Sequence, residues 1–531
     1  MGEPGSTGER TAKSVLAAAV LWVVILGALA AGYRFLVHPY VTGKLRQQTG
    51  SGSQYRHKLR LALDSFSGYA VLRSKPFAEE LKAGGVKLEI IDDKADYGAR
   101  IKSLADGDVD LATFTIDSLI TASVGIDEFP ATVVLVIDET RGADAMIARK
   151  ESVASVQDLD HPEARIVLTP GSPSEFLART VLAHFSLPRL PEKPFIPVDG
   201  ASEVYKRFKS DPAGQKRAYV LWEPYVSKAV ADGAQVLLDS SKLKGYIVDV
   251  LVARRKFLRE NPELVRCAVG AYLRAAHSAE RSSGGMAELV LEDSRTAGGE
   301  RLDRAQAEKL VGGIHWKNTL ENYAHFGLAS SAESGGAQHL EDMVANITTV
   351  LMKTGALKAD PLAGKASTLF YDAVLKDLKA EGFHPARRLA VVEGMGPAPG
   401  EMGAVRGEAE LGKLRDEQWR TLAPVGEMKM EPIAFARGTA RINLQSQREL
   451  ARLANLLKSL PRYYLAVIGH ARAEGDPEAN RKLARERAEE AVKILVAEGL
   501  APSRVRAEAD QPSDRDGSAQ SVSFRVGQMP Y

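Results

Sequence analysis

Residues 58–69 read Lys-Leu-Arg-Leu-Ala-Leu-Asp-Ser-Phe-Ser-Gly-Tyr. Leu59, Leu61 and Leu63 recur at the two-residue period of a half-buried strand. The run stops in a polar turn, Asp64 to Tyr69, built around Gly68. Outward from it, a helical stretch covers about 70–83, a strand 86–91, a helix 97–104 and a strand 109–114, entered through the turn Asp106-Gly107-Asp108. Strand and helix in alternation predict a doubly wound α/β sheet, whose ligands gather outside the carboxyl ends of the strands. The loops at 64–69 and 115–118 fall at those ends.

The pattern then returns. A strand at 164–168 runs into Thr169-Pro170-Gly171-Ser172-Pro173-Ser174-Glu175, which opens a helix to about 185. A short strand at 195–198, a helix at 202–209 and a strand at 218–221 follow, the last entering Trp222-Glu223-Pro224-Tyr225. Two α/β lobes joined by crossing strands predict a cleft for a small ligand. Residues 132–149 lead out to the second lobe and 248–253 lead back.

Candidate ligand residues follow from those positions. Gly171 and Ser172, ahead of a helix, offer backbone N–H groups and a hydroxyl where the helix dipole favours an anion. Ser172 or Ser174 serves equally as a plain helix cap. Ser65, Ser67 and Tyr69, with Gly68 for the turn, form a donor set on the facing lobe, and Thr115 closes the third strand. Trp222 and Glu223 end a strand aimed at the cleft, where Trp222 could stack on a ligand. Asp138, Asp144 and Asp249 lie on the crossings, where a carboxylate receives a ligand amine or locks a hinge; Asp144 reads as an ordinary surface aspartate.

These elements resemble the periplasmic substrate-binding proteins of the nitrate/sulfonate/taurine and thiamine-precursor group. The resemblance rests on Ser67-Gly68-Tyr69, Gly107-Asp108-Val109-Asp110, Asp138 with Gly142-Ala143-Asp144, Gly171-Ser172-Pro173-Ser174 and Leu221-Trp222-Glu223-Pro224-Tyr225. It extends over roughly 57–330, because Gly312-Gly313-Ile314-His315-Trp316 and Asn318 also resemble the group's C-terminal helices. It implies a small anionic ligand, ABC-transporter-type binding and a membrane permease as partner. The group's enzyme branch depends on cysteine and histidine near the cleft, whereas the first cysteine here is Cys267, in a helical stretch. No catalytic triad, metal-ligand pair or phosphate loop is present, so no enzyme activity, catalytic residue, metal or cofactor is expected.

Residues 14–33 (SVLAAAVLWVVILGALAAGY) carry no charge and would form a helix roughly 30 Å long, the thickness of a bilayer core. Arg10 and Lys13 precede the segment and Arg34, Lys44 and Arg46 follow it, so the flanking charges leave its orientation open. It reads as an uncleaved anchor in preference to a signal peptide, although Ala28-Leu29-Ala30 has the small-x-small form of a cleavage site. Either way the chain beyond residue 40 is exported.

Near the other end stand Ile468-Gly469-His470-Ala471-Arg472, then Gly475, Asn480, Leu483 and Arg487-Ala488. Before them come a strand at 432–435, an amphipathic helix at 450–460 and a strand at 464–468; after them a helix at 478–498 and strands at 504–509 and 521–526. The spacing and the βαβαββ order resemble the OmpA-like domains, whose Gly-His-Thr-Asp motif is followed by Gly, Asn, Leu and Arg-Ala. That resemblance implies peptidoglycan as partner, with Gly469, His470, Asn480 and Arg487 at the site. The family's aspartate, which receives the diaminopimelate ammonium, falls on Arg472, and its terminal Asn-Arg-Arg falls on Ala519-Gln520-Ser521. A second cation beside Arg487 favours an anionic ligand, or else leaves the helix as a dimerisation or protein-docking face.

The expected organisation is a cytoplasmic N-terminus (1–13), a transmembrane anchor (14–37), a tether (38–56), a two-lobed binding domain with a helical C-terminal extension (57–386), a Gly/Pro-rich linker (387–428) and an OmpA-like α+β module (429–531). A chain of 531 residues supports several cores. Lys+Arg 70 against Asp+Glu 68 leaves a net charge of +2, so no global field favours nucleic acid. The single cysteine excludes an internal disulfide framework. The sequence thus predicts a single-pass protein of a bacterial inner membrane with its bulk in the periplasm, binding a small solute. The alternative is a cell-envelope scaffold or sensor whose C-terminal module docks peptidoglycan or a protein.

Overall fold

The computed structural model describes residues 55–530 apart from 127, 297–300, 331–332, 388–401, 408–409, 472–474 and 511–521. The apolar segment 14–37 and Arg472 lie outside the described residues, within which no helix is long and apolar enough to cross a membrane.

The first lobe opens with the parallel strands β1 (His57–Leu63), β2 (Val86–Asp92) and β3 (Leu111–Thr115). The single helix expected over 70–83 is two, Ala70–Arg73 and α1 (Lys75–Ala83). Pro76 has no N–H to continue the ladder, so Ser74 turns extended and its hydroxyl accepts the Phe77 N–H as a fresh cap. After α2 (Ile116–Ala122) comes β4 (Ala131–Thr140), buried along its whole length as its unbroken apolar run requires.

The chain then crosses into the second lobe: β5 (Asp144–Arg149), β6 (Arg165–Leu168), α3 (Pro173–His184), β7 (Phe195–Pro197), β8 (Arg217–Trp222) and β9 (Ala234–Asp239). These strands form one sheet in the order β7-β6-β8-β5-β9. The return strand β10 (Val248–Arg254) lies between β3 and β4, and β11 (Ile314–Trp316), a strand inside a region that reads as helical, completes the order β11-β4-β10-β3-β1-β2. The two crossings are tied together where Ser240 Oγ accepts the Gly142 N–H at 2.8 Å. Gly142 has φ +122°, a conformation that a side chain resists.

Helices α4 (Pro262–Arg281) and α5 (Arg304–Gly312) pack on the first lobe, and α6 (Leu340–Lys353) packs against both α2 and α3. The C-terminal module has α7 (Leu444–Lys458) and α8 (Pro477–Ala497) on a four-stranded sheet ordered β12-β15-β13-β14. Its strands are β12 (Ala423–Glu427), β13 (Tyr464–Gly469), β14 (Val505–Ala509) and β15 (Val522–Gln528). The first strand of the βαβαββ order is therefore not 432–435, which forms only an isolated bridge between Phe435 and Ile442. It is β12, inside the stretch that reads as linker, and Pro424 is tolerated there because β12 is an edge strand.

The module is bonded to the second lobe. Ser186 N–H donates to Glu427 O and Lys429 N–H to His184 O, each at 2.8 Å, extending the backbone beyond the end of α3. Gln157 clamps the same junction, accepting the Glu427 N–H at 2.9 Å and donating to Ser186 O at 3.1 Å. The intervening chain is held by the first lobe: Asn318 donates to Ala404 O at 2.9 Å and Glu321 accepts the Arg406 N–H at 3.1 Å.

Candidate functional site

The strand ends of both lobes meet around a cavity of about 760 Å³. Ser65, Ser67 and Tyr69 line it from the first lobe, and Ser172, Trp222 and Glu223 from the second. The lobes touch beside it: Ser118 Oγ donates to Gly171 O at 3.3 Å, and Lys309 of α5 stands 3.9 Å from Glu223. The remaining four expected ligand residues support the wall from behind. Thr115 Oγ1 donates to Ser118 Oγ at 2.8 Å. Gly171, at φ +68°, gives its N–H to the Glu175 carboxylate at 2.7 Å. Gly68 accepts the Trp316 indole N–H at 2.8 Å, and its missing side chain leaves room for Phe66 and Asp138. Asp138 itself is fully buried, cross-strand from Asp249.

The expected anion seat at the start of α3 is already occupied by the protein's own charge. Glu175 takes the Gly171 N–H and is in turn held by Arg179 Nε at 2.7 Å, while the Ser172 hydroxyl donates to Thr169 O at 2.6 Å. Lys94 is the one basic residue of the described lining, and the guanidinium groups behind the wall are committed to carboxylates. Arg100 is buried between Asp64 at 2.8 Å and Asp93 at 2.5 Å, and Arg73 pairs with Asp293 at 2.5 Å.

The carboxylates are not matched in this way. Asp144 is buried at 4% exposure on the cavity wall, not at the surface, because β5 begins there and pairs it with Trp222 of β8. Burial pushes its carboxyl up to about 7, with repulsion from Glu223 adding to the rise. Asp249, at 2% exposure, accepts the Tyr69 hydroxyl on Oδ1 at 2.5 Å, and its Oδ2 receives no N–H or O–H donor among the described residues. Asp138 receives none either, so these two facing carboxyls satisfy each other only by sharing a proton. Burial and mutual repulsion drive Asp249 well up, and burial carries Asp138 to about 8. Thr140, Asp92 and Asp199 also line the cavity without any motif that marks them, as does Tyr225, the last residue of the Leu221–Tyr225 motif.

At the C-terminal site, His470 contacts Ser523 Oγ at 2.9 Å through Nε2 and Asp510 at 3.2 Å through Nδ1. Arg487 of α8 lies 5.1 Å over the Phe435 ring and donates to Thr439 O at 3.0 Å. Gly469 is obligatory, because a Cβ there would run into the backbone of Ala484. Cys267 in α4 packs beside Gly84, away from the cavity-lining residues, and burial raises its thiol.

The fold and cleft define a two-lobed α/β binding domain followed by a separate α+β module. Residues 70–290 match the family model of the NMT1-like family and residues 434–523 that of the OmpA family. The chain thus joins an NMT1-like region to a C-terminal OmpA domain. No curated protein matches it. Among solved structures it is similar to the alkanesulfonate-binding protein SsuA from Xanthomonas axonopodis pv. citri bound to MOPS, at 17% identity over 59% of this chain and 98% of that one (TM-score 0.44). It is also similar to the periplasmic nitrate-binding protein NrtA from Synechocystis PCC 6803, at 13% identity over 61% and 88% (TM-score 0.46). The desulfurization enzyme DSZB aligns at 14% identity over 62% and 100% (TM-score 0.42).

Proposed function

We propose that the chain is an extracytoplasmic solute-binding protein of ABC-transporter type, held at the inner membrane by residues 14–37 and carrying a wall-facing OmpA module. The observation that supports this reading is the cavity itself: about 760 Å³, at the strand ends of two lobes, reached by side chains from both. Closure of the lobes on a small solute is the primary event, and a membrane permease is the partner that receives it. The reading is of a binding protein and not an enzyme, supported by the NMT1-like match and by a sole cysteine that packs outside the cavity. A thermal-shift screen of the full chain against a broad solute library, including nitrate, sulfonates and thiamine precursors, tests it. Ligand-dependent stabilisation is expected, and none across the library would leave the scaffold reading in its place.

The OmpA module retains Arg487 for a carboxylate of the stem peptide, while Arg472 stands where the family has its ammonium-receiving aspartate. We expect Arg472→Asp to create binding to purified sacculi that the parent lacks. Strong sedimentation of the parent with sacculi would show that the charge inversion leaves the grip intact.

A further inference from the structure

We propose that the cleft takes a small organic cation, a solute bearing a protonated nitrogen on a compact and partly apolar body. This rests on the solute-binding reading and names the ligand class for that same cavity. Of the acidic residues on the wall, Asp64 and Asp293 are matched by Arg100 and Arg73. Glu223 is met by Lys309 of α5 at 3.9 Å and by Ser227, which leaves Asp92, Asp144, Asp199 and Asp249 without a cation among the described residues, and Lys94 is the single basic residue of the described lining. An anion would find no free guanidinium on this wall, and the N–H group of Gly171 is turned to Glu175.

The strongest indication is built into the floor. Asp144 is 4% exposed and lines the cavity with a carboxylate that no cation pairs among the described residues, beside Asp249, whose Oδ1 is held by Tyr69 and whose Oδ2 is turned to Asp138. Carboxylates so removed from water are stable only with a proton or a cation, and a ligand N–H⁺ supplies that charge. Phe66, Tyr97, Trp222 and Tyr225 add aromatic surface to the same wall, which suits an organic cation. A bare metal ion fits less well, since no cluster of three or more metal-ligating side chains occurs among the described residues.

The test is calorimetry and thermal shift on the full chain with two matched sets of probes at equal ionic strength. The cations are benzamidine, phenethylamine and agmatine; the anions are benzoate, methanesulfonate and nitrate. Stabilisation by at least one cation and by none of the anions is expected, with Asp144→Asn and Glu223→Gln each weakening that cation at least ten-fold. Asp249→Asn is a further variant if it folds; the other two suffice if it does not. Stabilisation by anions alone overturns the inference and leaves the solute-binding reading standing. Cation binding undiminished in both Asp144→Asn and Glu223→Gln also overturns it. No stabilisation by either set, in a chain that also ignores the broad library, removes the solute-binding reading and this inference with it.

Discussion

A carboxyl held near 7, as Asp144 is, makes stability depend on pH in a direction opposite to that of most acidic residues. The folded chain keeps a proton there that the unfolded chain releases above about pH 4, so its contribution to stability falls as pH rises from about 4 to about 7 and is level beyond. Asp144→Asn removes that dependence. In urea unfolding the variant should gain on the parent between pH 5 and pH 8 by roughly 2–4 kcal/mol. A pH-independent difference would mean that the carboxyl is ionised in the folded chain. Gly68 gives a second residue-scale outcome. A methyl there would meet the Phe66 ring and the Asp138 carboxylate, and Asp138, fully buried, has no space to retreat. Gly68→Ala should destabilise by about 2–3 kcal/mol and abolish solute binding, read by unfolding and thermal shift.

Helix α3 and its flanks carry two jobs at the scale of an element. Its first residues border the cleft, and its last carbonyl, His184 O, and the Ser186 N–H beyond it bond to the C-terminal module. Gln157 closes that junction with both ends of its amide, so Gln157→Ala leaves the Glu427 N–H and Ser186 O without it. A loss of about 1–2 kcal/mol and faster proteolysis within 387–428 are expected, with solute binding unchanged. Period and turn chemistry made the strands and helices of both lobes legible, along with six of the ten expected ligand residues on the cavity wall. What escaped was set by tertiary pairing. Asp144 looks like a turn aspartate after Gly142-Ala143, and only the sheet formed by β5, β8 and β9 buries it. β12 contains Pro424 and Gly426, residues that argue against a strand until β15 is laid beside it. The expected anion seat at Gly171 is filled from within because Glu175, four residues further on, turns back on the helix start.

The whole molecule joins its parts asymmetrically. The chain enters through β1 in the first lobe, and segment 402–407 is strapped to that lobe, while the C-terminal module is fixed to the second. The proposed lobe closure should therefore turn the module relative to the first lobe and not relative to the second. Spin labels at the exposed positions Lys102, Lys206 and Arg485, introduced as cysteines in a Cys267→Ser background, read this directly. A stabilising solute should change the 102–485 distance and leave the 206–485 distance constant; the reverse would place the module on the first lobe's side of the hinge. On the proposed anchoring, the membrane holds one jaw of the cleft and whatever the C-terminal module docks on holds the other. Tension between those two attachments then acts on the same coordinate as solute capture, and linkage makes the affinity of such a chain a gauge of that pull.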